Sequence, residues 1–323
     1  MKNNIVVSVC MITYNHEQYI AEAIEGVLMQ KTDFPIELII GEDCSTDKTR
    51  EICIAYQQKY PEIIKLQLPD KNKGIMRNFI ENMQAAQGKY IALCEGDDYW
   101  TDPRKLQKQV DFLDANEDFS MCCHRYKILY EETQKWEPDY GHSLFTNNIE
   151  GIEFDTEFNF MKCWLSKTMT VVFRRSCLNL SHLYQYTYCR DVHLFYHILS
   201  MGKGFCMNYD AAVYRINDTG VHGMKNSAER LDSSFDVFDE LIFFNKTDKA
   251  LYNVMTHLDI MLFTGFISSK FPFFHFNEFK GYAKLYSKRK KKSLFLYPAF
   301  FIYYLSKRVF MLAKKVTKGL ITL

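Results

Sequence analysis

The sequence predicts an α/β fold with a largely parallel sheet. In its first third, short apolar or β-branched runs alternate with segments of helical period, and a polar cluster follows each of the first four runs. Such alternation is the pattern of βα units, whose strands lie parallel. Ligand-binding residues in these sheets gather beyond the carboxyl ends of the strands, so the four clusters are expected around one crevice. At 323 residues and 47% hydrophobic, the chain has material for one large domain or two ordinary ones with a substantial core.

The first strand is expected at 5–12. Its apolar run is too short for a secretory leader and passes directly into Tyr14-Asn15, so it reads as a buried strand. Ile20, Ile24, Val27 and Leu28 then fall on one helical face, and a second strand is expected at 36–40. Ser45 and Thr46 stand at a helix start, and Asp47 suits the positive end of that helix. A third strand at 63–68 precedes a helix with Ile75, Phe79 and Met83 on its apolar face. The fourth strand, 90–94, leads through an acidic turn to Asp102-Pro103, a helix start because Asp caps free amides and Pro fits the first helical position. Leu106, Val110 and Leu113 form the face of that helix.

Beyond it, 119–126 reads as a core strand in which Cys122 and Cys123 act as small hydrophobes, since no partner pair stands at zinc spacing. The segment 127–179 is aromatic-rich and periodicity does not resolve it, apart from a strand at 170–173. A helix at 192–199 entered at Asp191, extended segments at 205–209 and 211–216, and helical pattern past residue 226 complete the pass. All 10 cysteines stand outside CxxC pairs, which leads to the expectation of a reduced, cytoplasmic setting.

The chemistry begins at Glu95-Gly96-Asp97-Asp98, three carboxylates within four positions at a strand end. Adjacent carboxylates repel and resist desolvation, so the cluster reads either as a site for a hard cation such as Mn2+ or Mg2+, with phosphate as the natural partner, or as a solvated, capped turn. Asp43 offers an acceptor of the kind a nucleobase ring nitrogen needs, with Thr13 and Tyr14 across the crevice. Asn72-Lys73-Gly74 makes a turn followed by Arg77, either a surface residue or a partner for a diphosphate or for Asp43. Neither a GxxxxGK[ST] loop nor a GxGxxG turn occurs, which argues against P-loop hydrolysis and dinucleotide redox chemistry.

In that order, Val7-Ser8-Val9 to Thr13-Tyr14-Asn15, Glu42 to Asp47, Asn72-Lys73-Gly74, Glu95 to Trp100 and Pro103-Arg104-Lys105-Leu106 resemble the family 2 inverting glycosyltransferases, over about a third of the chain. The resemblance implies a GT-A type, Rossmann-like mixed sheet flanked by helices, and a nucleotide-diphosphate sugar as donor. It implies that Thr13, Tyr14, Asn15, Asp43, Asn72, Gly74 and Arg77 bind the donor, and that Asp97 and Asp98 hold the metal with Asp97 also facing the diphosphate. Glu95, where the family more often has Asp, is then a candidate for ribose contact. A catalytic base is expected at a helix entrance, within a Glu-Asp pair; Cys189-Arg190-Asp191-Val192 fits with Arg190 in place of Glu, which makes Asp191 the candidate. Tyr214-Arg215-Ile216 and Gly220-Val221-His222 resemble the segment that closes over the diphosphate, making Arg215 and His222 candidate phosphate ligands.

The net charge of +1 conceals an asymmetry: from Phe279 onward there are 12 basic and no acidic residues, leaving 28 basic against 39 acidic before it, a balance of −11. Lys288-Arg289-Lys290-Lys291-Lys292 precedes an apolar run of 12 at 294–305, short of the roughly 20 residues that span a bilayer. The expectation is a membrane-surface segment on an anionic cytoplasmic leaflet, or a helix packed on the body; nucleic acid suits so aliphatic a stretch poorly. The expected organisation is a catalytic domain at 1–225, with a donor half to about 125 and an acceptor half after it, and a helical region at 226–323 whose basic tail is 288–323. The function expected is sugar transfer, with inversion, to a glycan or lipid-linked hydroxyl in cell-surface polysaccharide synthesis; the alternative is a non-catalytic nucleotide-sugar or carbohydrate-binding module.

Overall fold

The computed structural model describes residues 5–145, 149–187, 189–217, 227–268 and position 285. Strand β1 (Val7–Thr13) is buried along its whole length, because helices cover both faces of a parallel sheet and remove the usual inside-outside alternation. It lies between β2 (Ile36–Glu42) and β4 (Tyr90–Leu93), parallel to both, and β3 (Ile64–Gln67) extends the sheet beyond β2. The intervening helices are α1 (Ile20–Leu28), α2 (Thr49–Lys59) and α3 (Ile75–Gln84), followed by α4 (Lys105–Ala115). Ile20, Ile24, Val27, Leu106, Val110 and Leu113 join Val7, Val9, Leu38, Ile40 and Tyr90 in the core, where each fully buried aliphatic side chain contributes about 2 kcal/mol.

Three local expectations shift. Ile75 is 61% exposed, and the buried face of α3 is instead Asn78, Phe79, Ile80, Asn82 and Met83. The two asparagines belong there because their amides donate to sheet carbonyls, Asn78 to Gly41 O at 2.7 Å and Asn82 to Ile39 O at 3.1 Å. Asp102-Pro103 forms a turn rather than the first residues of α4: Asp102 Oδ1 accepts from Arg104 N at 2.8 Å, and the helix begins at Lys105. Likewise α2 begins at Thr49, after the Ser45-Thr46 segment.

The middle of the chain completes the sheet. Strand β5 (Tyr99–Trp100) follows the acidic turn, β6 (Phe119–Tyr130) carries the buried Cys122-Cys123 pair, and β7 (Lys135–Pro138) and β8 (Gly151–Phe154) are short antiparallel additions. Strand β9 (Val172–Arg174) runs antiparallel between β4 and β6 and makes the sheet mixed. After the short α5 (Leu180–Tyr184) and α6 (Asp191–Leu199), the two extended segments expected at 205–209 and 211–216 are one strand, β10 (Lys203–Ile216). Register shifts around Asp210 interrupt its pairing with β6, which is why the sequence reads as two pieces. Among the described residues the strand order is β3-β2-β1-β4-β9-β6-β10-β5, with β7 on β6 and β8 on β10.

The chain divides into two compact units, residues 1–224 with 240–251, and residues 225–239 with 252–323. The first holds the sheet. The described part of the second is helical, drawn from α7 (Ser227–Phe244) and α8 (Lys249–Ser268). No helix among the described residues is long and apolar enough to cross a membrane. The basic tail at 288–323 and His222 lie outside the described residues.

Candidate active site

The crevice is built from the loops at the carboxyl ends of β1, β2, β3 and β4. The first two loops are stitched together by Asn15, which adopts a left-handed φ of 55°. Its backbone N–H donates to Ser45 Oγ at 2.9 Å, and its Oδ1 accepts from Thr46 N at 2.8 Å. Asp47 adds a second stitch, accepting from Glu17 N and from Thr49 N. Thr13 ends β1 buried, its hydroxyl 3.2 Å from His16 Nδ1, while Tyr14 is 42% exposed at the rim.

Asp43 is buried, and its carboxylate accepts from Lys73 N at 2.7 Å and Gly74 N at 2.9 Å. Asn72 closes the same turn, donating to Asp43 O at 3.0 Å and accepting from Gly74 N. Gly74 has a φ of +82°, a conformation that favours glycine, and so the amide reaches the carboxylate without strain. Asp43, Asn72 and Gly74 therefore converge as expected, with Asp43 holding the third loop in place. Arg77 does not join them: it is exposed and bonds Glu81 Oε1 at 2.6 Å, four residues along its own helix, which directs its guanidinium away from Asp43.

Beyond β4 the chain turns so tightly against β1 that a Cβ on Gly96 would lie 2.5 Å from Thr13 Oγ1. Glu95, Asp97 and Asp98 bring ligand oxygens within 4.8 Å of one another. Burial, then the charges of Asp97 and Asp191, raise the Glu95 carboxyl to about 7. Burial, then Asp97 and Glu95, raise Asp98 well above the carboxylate range. Thr168 Oγ1 donates to Glu95 at 3.0 Å, and Arg215 N donates to Asp98 Oδ1 at 2.9 Å, but Asp98 Oδ2 is buried without a hydrogen-bond partner among the described residues. A buried carboxylate oxygen with nothing to accept from, beside two further carboxylates, fits a hard divalent cation; oxygen donors are what Mn2+ and Mg2+ select. Glu95 belongs to this constellation as closely as the expected pair Asp97 and Asp98.

Arg215, expected as a phosphate ligand, lies beside the acidic turn. Its side chain is buried and committed to the protein: it bonds Glu131 at 2.7 Å, Asp97 O at 2.9 Å and Glu22, and lies 4.3 Å from the centre of the Tyr99 ring. A guanidinium bonded this way ties β10 to the acidic turn.

Asp191 is the first residue of α6. Its Oδ1 accepts from Val192 N at 3.0 Å, and its charge reaches Glu95. The helix entrance is held by His193, a buried side chain whose Nδ1 accepts from Arg190 N at 3.1 Å. Burial, then His197 and Arg190, hold the His193 imidazole neutral by pushing it down to about 3.

Two further residues stand out, Lys167, which was not singled out from sequence, and Lys105, which was quoted there only within a motif. Lys167 lies among the charges of Asp191, Asp98 and Glu95; burial lowers it from the usual lysine value and those carboxylates pull it back. Its ammonium lies over the Tyr214 ring at 4.4 Å. Lys105 is fully buried, bonded to Gln109 and 4.0 Å from the Trp100 ring centre, and burial pushes it down to about 7. No sequence signal marks Lys167, because the segment around it lacks periodicity.

A mixed sheet with a carboxylate-lined crevice at its strand ends defines the GT-A class of glycosyltransferase. The family model of Glycosyl transferase family 2 matches residues 8–173, so the chain belongs to that family. It is similar to a Bacillus subtilis putative teichuronic acid biosynthesis glycosyltransferase, TuaG, at 38% identity over 110 residues, 33% of this chain and 42% of the relative. The chain spans about two fifths of the length of the curated relatives it matches. Among solved structures, S. aureus TarS 1-349 in complex with UDP-GlcNAc has a TM-score of 0.63 at 18% identity, covering 87% of this chain and 79% of that one. The mannosyltransferase PcManGT from Pyrobaculum calidifontis, in complex with GDP-Man and Mn2+, has a TM-score of 0.59 at 14% identity, covering 94% and 79%. Both likenesses are of fold.

Proposed function

We propose that the first unit is a metal-dependent, inverting glycosyltransferase that moves a sugar from a nucleotide-diphosphate donor to a hydroxyl of a glycan or lipid-linked acceptor, in cell-surface polysaccharide biosynthesis. The observation that carries this is the carboxylate crevice: Glu95, Asp97 and Asp98 gathered at one strand end, with Asp191 on a separate helix entrance within reach of their field. Family membership supports it, as do the nucleotide-sugar complexes of the two similar folds and the polysaccharide role in the name of TuaG.

The donor's base lies against Thr13, Tyr14 and the loop that Asp43 holds with Asn72 and Gly74. Asp97 and Asp98, with Glu95 beside them, are the side chains that would hold Mn2+ or Mg2+, which when bound supplies positive charge against the leaving diphosphate. Asp191 takes the proton of the acceptor hydroxyl as that oxygen bonds to the anomeric carbon. The carbon's bond to the phosphate oxygen breaks on the opposite face, its electron pair leaves with the nucleoside diphosphate, and the anomeric configuration inverts. Oδ1 of Asp191 is steadied by the Val192 amide, leaving Oδ2 for the proton.

The test is release of nucleoside diphosphate from a panel of UDP-, GDP- and dTDP-sugars with Mn2+ or Mg2+. Wild type is expected to turn over at least one donor, and Asp191→Asn to bind that donor with turnover reduced by roughly 100-fold or more. Binding without turnover in wild type identifies the non-catalytic module instead. We also place the chain at the cytoplasmic membrane surface through its basic tail. Deleting residues 288–323 is expected to abolish sedimentation with anionic liposomes; unchanged sedimentation contradicts that placement.

A further inference from the structure

Lys167 sits on a rigid wall of the crevice. Residues 165–170 are pinned from several directions: Asn159 Oδ1 accepts from Leu165 N at 3.0 Å, Trp100 Nε1 donates to Met169 O at 2.7 Å, and Gln109 Nε2 donates to Thr170 O at 2.9 Å. Thr168 ties the wall to Glu95. The backbone that carries Lys167 is thus as fixed as the carboxylates it faces. Yet its ammonium makes no hydrogen bond and no ion pair within 4 Å among the described residues; it lies between two tyrosine rings, 4.4 Å from the centre of Tyr214 and 5.8 Å from that of Tyr140. The strongest charge acting on it is that of Asp191. Tyr140 is 57% exposed, an aromatic ring beside a cation with its donors unspent.

An ammonium with N–H donors unspent next to a half-exposed aromatic ring is a sugar-binding combination. A pyranose ring presents an apolar C–H face, which packs on an aromatic ring, and a rim of hydroxyl oxygens, which accept from an ammonium. The proposed base stands beside this pair. We infer that Tyr140 and Lys167 form the acceptor subsite, Tyr140 packing on one face of the acceptor pyranose and Lys167 donating to its hydroxyl oxygens so that the reacting hydroxyl meets Asp191. This rests on the transferase reading above and extends it to the class of acceptor held, a pyranose ring rather than a bare alcohol.

The experiment separates the two half-reactions. With the donor found in the panel, hydrolysis uses water as acceptor and needs no acceptor subsite, whereas transfer to a set of octyl β-D-glycosides needs one. Tyr140→Ala is expected to reduce transfer by roughly tenfold or more while hydrolysis stays within about twofold, and Lys167→Met to reduce transfer by a larger factor than hydrolysis. Tyr140→Phe and Lys167→Arg are expected to recover most of the transfer, since they keep the ring and the cation. Tyr140 is exposed, so its variants fold even where Lys167→Met does not. Equal loss of hydrolysis and transfer overturns the assignment by making the pair donor-side or structural. Wild type that hydrolyses donor but glycosylates no glycoside also overturns it. Wild type that hydrolyses no donor overturns the transferase reading itself, a distinguishable failure.

Discussion

At the scale of single residues, the acidic turn is a place where folding works against electrostatics. Glu95 has a carboxyl raised to about 7 by burial and by Asp97 and Asp191, against an ordinary value of 4.5. The folded chain therefore binds that proton more tightly than the unfolded chain, and ionising Glu95 costs stability. The cost is absent below about pH 4.5, grows as the pH rises, and is complete above about pH 7. Glu95→Gln removes it. In chelator-treated protein the variant is expected to match wild type near pH 4.5 and to exceed it by roughly 1–3 kcal/mol near pH 8, read by denaturant unfolding. A difference that does not change with pH contradicts the assignment. Saturating Mn2+ is expected to narrow the gap, because the cation offsets the same repulsion in wild type. A stability cost retained at the buried Asp98 Oδ2 and at Glu95 has its explanation in a ligand, which is the physical content of calling this turn a site.

At the scale of elements, Arg215 shows how a strand is fixed to a loop. It sits on β10 after the register shifts near Asp210, and its backbone N–H and side chain together hold Asp98, Asp97 O, Glu131 and Glu22. Arg215→Ala removes the side-chain bonds to Glu131, Glu22 and Asp97 O and empties a buried position, and is expected to destabilise the protein by roughly 1–3 kcal/mol, seen as a lowered denaturation midpoint. A variant as stable as wild type, affected only in donor affinity, restores Arg215 as a phosphate ligand. The sequence made the first four strands legible because they are short apolar runs ending in polar clusters, and α6 because Asp191 precedes a helical period. It made Arg215 look like a free cation because its partners, Glu22 and Glu131, are distant in the chain. Lys167 was invisible for the same reason: its importance comes from a wall assembled by Asn159, Trp100 and Gln109, contacts that no local period encodes. The exposed Ile75 and the buried Asn78 and Asn82 reverse what hydropathy implies, because amides that reach sheet carbonyls are satisfied in the core while a helix's first residue is free to face solvent.

At the scale of the whole molecule, the parallel half of the sheet supplies the loops proposed to bind the donor, and the mixed half supplies the elements that carry Lys167, Tyr140 and Arg215. The division follows from topology: β1 to β4 end together in one set of loops, while β6, β9 and β10 bring the later chain alongside the same acidic turn. The family model accordingly matches the first half of the chain, residues 8–173. The central claim is a single displacement in which Asp191 deprotonates the acceptor. Its most direct test is the anomeric configuration of the first product formed from an α-linked nucleotide sugar, followed by proton NMR. A β-linked product from wild type, and none from Asp191→Asn on the same timescale, is the predicted result; an α-linked product contradicts it.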